Sequence, residues 1–256
     1  DHRDLHSFPT RRSSDLLTML AQFAVSGDTQ VAVRTLDFLV THPTWPLEWR
    51  LLLPRLFHVW YWETGDLDLV RKHYSRLVEY CSFPELVREG MVRRFPGRVL
   101  VDWPESFRAQ FDSGDGEYWL PPNALFAKTL SILAELGDAL GHDTRTLRAD
   151  HERLVRSIQK KCLREDGLFR DRPDSDHVSI YGNLWALWSG CVPEEHSGKV
   201  ADFLEECGMN CSLYSAFFYL DTLFRYGKGR SAYGFLTGEG PYGWKPMLEA
   251  DRKSVV

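Results

Sequence analysis

Four times in this chain an apolar run of helical period stops at a glycine, and a new run begins within three residues. The joins are Ser26-Gly27-Asp28, Thr64-Gly65-Asp66, Leu140-Gly141-His142-Asp143 and Tyr226-Gly227-Lys228. Glycine reaches the left-handed conformation that ends a helix at little cost, and an aspartate just after it caps the next helix and favours its positive end. The glycines lie 38, 76 and 86 residues apart, so the first two intervals are one and two repeats of 38. A chain punctuated in this way folds into repeated helical hairpins, stacked as an open solenoid or closed as a ring. Apolar spacing predicts helices over residues 17–26, 29–41, 47–64, 67–81, 122–140, 144–161, 178–191, 194–206, 212–226 and 229–235. No run alternates convincingly as a strand would. Pro54, inside the third helix, lacks an N–H and should kink it.

Loop length separates the ring from the solenoid. Joins within hairpins are tight, but connections between hairpins are long and rich in aromatic and acidic residues, unlike the short, regular connections of a solenoid. They cover residues 42–46, 93–121 and 165–177, and the longest carries Asp102, Trp103, Glu105, Asp112, Asp115, Glu117 and Trp119. Long loops in a compact domain tend to be functional. In a ring they would gather at one end, around the central cavity.

The two ends read differently from the rest. Residues 1–16, DHRDLHSFPTRRSSDL, look like translated DNA-sequencing adapter. The last six residues, Asp251–Val256, can be encoded by GAT CGG AAG AGC GTC GTG. With the stop codon TAG, the reverse complement, preceded by one further C, translates as Pro-Thr-Arg-Arg-Ser-Ser-Asp, which is Pro9 to Asp15. We therefore expect residues 1–16 and 251–256 to be non-native tails around a genuine domain over 17–250, an internal piece of a longer protein. Without the tails the chain carries 26 basic and 32 acidic residues. That mild acidity, with no basic stripe, argues against nucleic acid as a partner. No apolar run reaches the ~18 residues of a membrane span. Five cysteines form no paired framework, and Cys207 with Cys211, four apart and without a neighbouring histidine, read as buried thiols before they read as metal ligands. All nine tryptophans fall within 17–250. Indole rings are core material first, and also the surface on which a pocket stacks the apolar faces of sugars.

Several motifs then occur in order. His42-Pro43-Thr44-Trp45-Pro46-Leu47-Glu48-Trp49 is followed by Tyr61-Trp62-Glu63-Thr64-Gly65-Asp66, by Val101-Asp102-Trp103-Pro104, by the stretch 176–193 with Asn183 and Gly190-Cys191-Val192-Pro193, and by 212–226 with Tyr242-Gly243-Trp244-Lys245-Pro246-Met247-Leu248-Glu249. Together these resemble the six-hairpin domain of bacterial α-L-rhamnosidases over nearly all of 17–250. Two positions depart from that family's pattern. Thr44 stands where an aspartate is usual, and the usual Ser-x-His-x-Asn is Ser179-Ile180-Tyr181-Gly182-Asn183, with His177 displaced.

The resemblance implies an all-α fold, an incomplete (α/α)6 toroid of helical hairpins, and an inverting glycoside hydrolase that needs no cofactor and takes a carbohydrate substrate bearing terminal α-L-rhamnosyl or related residues. Inverting enzymes pair a carboxylic acid with a carboxylate ~6.5–9.5 Å away, leaving room for the attacking water. By the family pattern the acid lies before Leu17 and the base after Ala250, so neither is assigned here and the chain itself should be inactive. Glu249 belongs to the preceding motif and reads as structural. The residues left for substrate binding are Asp102, Trp103, Trp45, Glu117, Asn183 and His177. Each has a plainer reading: a helix-capping aspartate, core or loop tryptophans, a solvated loop carboxylate, a locally bonded asparagine and a histidine at a helix start. Another carbohydrate enzyme on the same ring (a glucuronyl hydrolase, a trehalase-like glycosidase or a polysaccharide lyase) and a non-catalytic helical-repeat interaction module are the competing readings.

Overall fold

A computed structural model describes residues 14–42, 47–97, 99, 101–102, 117–239 and 243–246. Among these residues the protein is built from ten α-helices: α1 (Ser14–Val25), α2 (Gln30–Thr41), α3 (Leu47–Thr64), α4 (Asp68–Tyr80), α5 (Leu120–Ala139), α6 (Arg145–Cys162), α7 (Ile180–Trp188), α8 (Glu194–Cys207), α9 (Leu213–Arg225) and α10 (Gly229–Thr237). Consecutive helices follow one another across the four glycine joins read from the sequence and, between α7 and α8, across residues 189–193. Gly65, Gly141 and Gly227 take the left-handed conformation, whereas Gly27 does not. The aspartates after the glycines act as foreseen. Asp28, Asp66 and Asp143 each accept the N–H two residues on, from Gln30 (2.9 Å), Asp68 (2.7 Å) and Arg145 (3.1 Å).

The helices alternate in character. α3, α5, α7 and α9 carry long runs of buried side chains, while α4, α6 and α8 bury one stripe and expose charge. The joins after α3, α5, α7 and α9 lead from a more buried helix to a more exposed one. The connections back end at the N-termini of α3, α5, α7 and α9.

The chain divides into two compact units, one comprising residues up to Val101 with 117–158, the other Asp102 with residues from 159 onward. In the first, α3 packs against α1, α2, α4 and α5. Pro54 sits inside α3, which continues through it. Having no N–H, Pro54 leaves the carbonyl of Arg50 without its helical donor. The buried Cys81 thiol supplies one, lying 3.4 Å from that oxygen. Thr129 of α5 donates to the Leu51 carbonyl at 2.8 Å, and the Tyr74 hydroxyl of α4 donates to that of Leu133 at 3.0 Å. Polar groups thus stitch the helices through backbone acceptors.

One feature departs from the all-helical expectation. β1 (Val87–Arg88) and β2 (Met91–Val92) form a two-stranded hairpin. Glu89 and Gly90 both have positive φ, 52° and 83°, as a two-residue turn of this hand requires. Two residues per strand are too few to show alternation. α5 also begins at Leu120 rather than Pro122, because prolines are tolerated in a first helical turn, whose N–H groups have no helical partner.

In the second unit α7, α8 and α9 pack mutually, and α10 packs on α9. Its core is aromatic. Trp185 and Trp188 meet edge-to-face with ring centres 5.7 Å apart, and Phe218 lies within 4.9 Å of both. Burying such rings supplies the largest share of apolar burial per residue.

Candidate functional site

The loops that run into the buried helices carry the side chains with unusual surroundings, and one device recurs among them. In the first unit, Asn123 in the opening turn of α5 accepts the Val92 N–H at 2.9 Å and donates to the Val92 carbonyl at 3.1 Å and to that of Trp119 at 2.7 Å. In the second, Asn183 in the opening turn of α7 accepts the Phe169 N–H at 2.9 Å and donates to the carbonyls of Phe169 at 3.0 Å and Ser179 at 2.9 Å. Both asparagines are wholly buried. Each amide pairs with one residue of the incoming loop as a neighbouring strand would, while holding the carbonyl four residues back.

A second device is a buried aspartate that grips a helix-capping serine. Ser179 caps α7 by accepting the Gly182 N–H at 3.0 Å, and its hydroxyl donates to Asp171 at 2.6 Å. Ser212 caps α9, and Asp102 accepts both its N–H, at 2.9 Å, and its O–H. Each aspartate has one further neighbour. Asp171 receives Nδ1 of His177 at 2.7 Å, and the Asp102 charge acts on the Tyr181 hydroxyl. Burial raises the Asp171 carboxyl above its ordinary value, opposed by the Ser179 and His177 donors. Burial, with the Asp102 charge beside it, also pushes the Tyr181 hydroxyl well up, so it stays protonated at neutral pH.

The first unit holds a buried carboxylate of its own. Glu48, in the first turn of α3, accepts the N–H of Val101. Val101 has φ of 61°, a conformation that costs an L-residue about 1–2 kcal/mol. The buried hydrogen bond from its N–H holds it there.

The residues expected from sequence fare differently. Trp45 and Trp103 lie outside the described residues. Asp102 is 1% exposed, and its two oxygens accept the N–H and O–H of Ser212, the residue that caps α9. Asn183 is wholly buried, with its amide bonded to the backbone of Phe169 and Ser179. Glu117 is half-exposed and bonds to Arg93 at 2.5 Å, which holds its carboxyl below the ordinary range. His177 is 38% exposed, with one ring nitrogen on Asp171. Sequence reasoning missed Asp171, Ser179 and Asn123. The cap serine was visible as a polar residue at the start of an apolar helix, but its aspartate sits eight residues away in one case and 110 in the other. All five cysteines are free thiols, and the described residues contain no group of three metal-ligating side chains.

Comparison with solved structures assigns this arrangement of hairpins. A rhamnosidase of glycoside hydrolase family 78 from Bacillus sp. GL1 superposes with a TM-score of 0.78 at 17% identity, covering 93% of this chain and 27% of that one. A Klebsiella oxytoca rhamnosidase with rhamnose bound gives 0.75 at 12% identity over 93% of this chain and 49% of its own. A Streptomyces avermitilis α-L-rhamnosidase complexed with L-rhamnose gives 0.61 at 17% identity over 79% and 19%. The fold is therefore that of the six-hairpin glycosidases. By sequence, residues 30–252 match the bacterial α-L-rhamnosidase six-hairpin glycosidase domain, and the chain belongs to that family. A comparison with curated proteins gives no match. The chain spans between about a fifth and a half of the length of these structural relatives.

Proposed function

We propose that residues 17–250 form part of the substrate-enclosing wall of an inverting glycoside hydrolase acting on terminal α-L-rhamnosyl or related deoxysugar residues. On this reading the acid and base carboxylates are supplied by flanking sequence, and the chain alone does not hydrolyse. The family match over 30–252 carries the proposal. The state of the buried carboxylates supports its second half. Glu48, Asp102 and Asp171 are the buried acids among the described residues, and each already holds donors from Val101, from Ser212, or from Ser179 and His177. An inverting pair needs one carboxyl carrying a transferable proton and one open to water. These three are committed to holding loops.

Two measurements test the reading. The purified chain should release no chromophore from an aryl α-L-rhamnoside, and measurable turnover would overturn the placement of the acid and base. The product of the uninterrupted reading frame should hydrolyse the same compound, with β-L-rhamnose as the first product by proton NMR. Retention of configuration, or activity confined to uronides or trehalose, would favour another enzyme on this ring.

A further inference from the structure

We propose that His177 presents its Nε2 atom as an acceptor for a sugar hydroxyl, and that Asp171 is the positioning residue that fixes the ring for this purpose. The inference rests on the carbohydrate reading above and assigns a contact within it. Asp171 is 0% exposed, and its ionised carboxylate can only accept. One oxygen takes the Ser179 hydroxyl at 2.6 Å and the other takes Nδ1 of His177 at 2.7 Å. The proton of a neutral imidazole therefore sits on Nδ1, and Nε2 carries a lone pair. No described residue bonds to Nε2, on a side chain that is 38% exposed. The buried nitrogen is saturated and the outer one is left open.

The ring is also held still. The Asp171 N–H donates to the His177 carbonyl at 2.9 Å, and the His177 N–H donates to Ser175 Oγ at 3.2 Å. Ion pairs brace the same loop: Arg170 with Asp176 at 3.4 Å, Arg172 with Asp174 at 3.3 Å, and Arg164 with Asp166 at 3.0 Å. Arg164 also donates to the Asp176 carbonyl at 3.1 Å. Through Ser179 the whole group is tied to the capped start of α7. Ordering completed during folding does not have to be repeated on binding, which is how a single hydrogen bond comes to count toward affinity. The ligand class follows from the geometry. An open imidazole acceptor that belongs to no described group of three metal-ligating side chains suits a neutral O–H donor, and a sugar offers several.

The test uses the whole chain labelled with nitrogen-15 at histidine. Long-range proton–nitrogen NMR near pH 8 should show His177 as the Nδ1–H tautomer, and Asp171→Asn, whose amide can donate, should shift the population toward Nε2–H. Titration with L-rhamnose, L-fucose and D-glucose should move the Nε2 resonance saturably for at least one sugar. His177→Phe should weaken that binding, followed at other resonances, by about fivefold or more, as loss of one hydrogen bond predicts. His177→Gln, which keeps a donor for Asp171, guards against a folding artefact. An Nε2–H tautomer in the parent chain overturns the inference, as does an Nε2 resonance unmoved by any of the sugars. A response to another sugar but not to L-rhamnose upholds His177 and counts against the rhamnosyl reading.

Discussion

Replacing Asn183 by aspartate changes one atom of the side chain and inverts its role. The amide accepts one backbone N–H, from Phe169, and donates to two backbone carbonyls, of Phe169 and Ser179, at 2.9–3.0 Å. Asn183→Asp keeps the acceptor and loses both donors. The Phe169 carbonyl is left facing a carboxylate, which costs about 1–3 kcal/mol for an unsatisfied group, while the Ser179 carbonyl keeps the backbone N–H of Asn183 at 3.4 Å. The lost donors therefore cost about 1–3 kcal/mol before the charge itself is counted. Burial without a cation raises the carboxyl pKa in the folded state only. By linkage, that penalty is absent below the ordinary aspartate range and grows as pH rises through it, until the folded carboxyl also ionises. Urea unfolding followed by tryptophan fluorescence, with Trp185 on the same helix as reporter, should show a loss of at least about 3 kcal/mol at pH 7 and a smaller loss at pH 5. A variant within about 1 kcal/mol of the parent at pH 7 would refute the clamp, since a single lost hydrogen bond is worth that much. An equal deficit at both pH values would refute the buried-charge part.

Two further outcomes follow from the same reasoning. Burial pushes the thiols of Cys81 and Cys162 up to about 12, so their contribution to stability is full below their ordinary value near 9 and is lost as pH rises from there toward 12. At pH 10 each should have given up about 1.4 kcal/mol, and the Cys81→Ala/Cys162→Ala chain should lose about 3 kcal/mol less than the parent between pH 8 and pH 10 in urea titrations; equal losses would show that these thiols stay protonated on unfolding or ionise in place. Gly90 has φ of 83°, and a Cβ there would fall 2.0 Å from Ser157 Oγ, so Gly90→Ala should cost about 2–5 kcal/mol. Adding Ser157→Gly should recover the steric part but not the backbone part, and strict additivity of the two changes would contradict the clash.

Much of the fold was legible because its signals are local. Helix period, a glycine stop and an aspartate two residues before the first bonded N–H all lie within one short window, and all ten helices appear within a few residues of their expected bounds. The two-residue strands were illegible because Val87–Arg88 and Met91–Val92 are too short for a period of two to declare itself. The site was only partly legible. His177 and Asn183 stood out as polar residues beside an apolar helix, but what each does is set by Asp171 and Phe169, and nothing in a single sequence pairs those positions. Asp102 illustrates the limit. Its acidic and aromatic neighbours suggested a sugar contact, and nothing near it in sequence pointed to Ser212, 110 residues later, whose N–H and O–H its oxygens accept.

Pairings of this kind constrain sequence little, and the fold is shared with structural relatives at 12–17% identity. A clamp such as Asn123 or Asn183 needs a particular side chain on one side only. Its partners are the N–H and C=O of Val92 and Phe169, which any residue but proline supplies. The Cys81–Arg50 contact has the same economy, since it answers a carbonyl orphaned by Pro54 whatever side chain stands at position 50. Side chains that recognise backbone let the loop sequences drift while the loop ends stay fixed to the starts of α5 and α7. Specificity can then change by altering what a loop displays, without rebuilding what holds it. His177 fits that division of labour: Asp171 and Ser179 hold the loop, and the imidazole, open at Nε2, is the part a different substrate would replace.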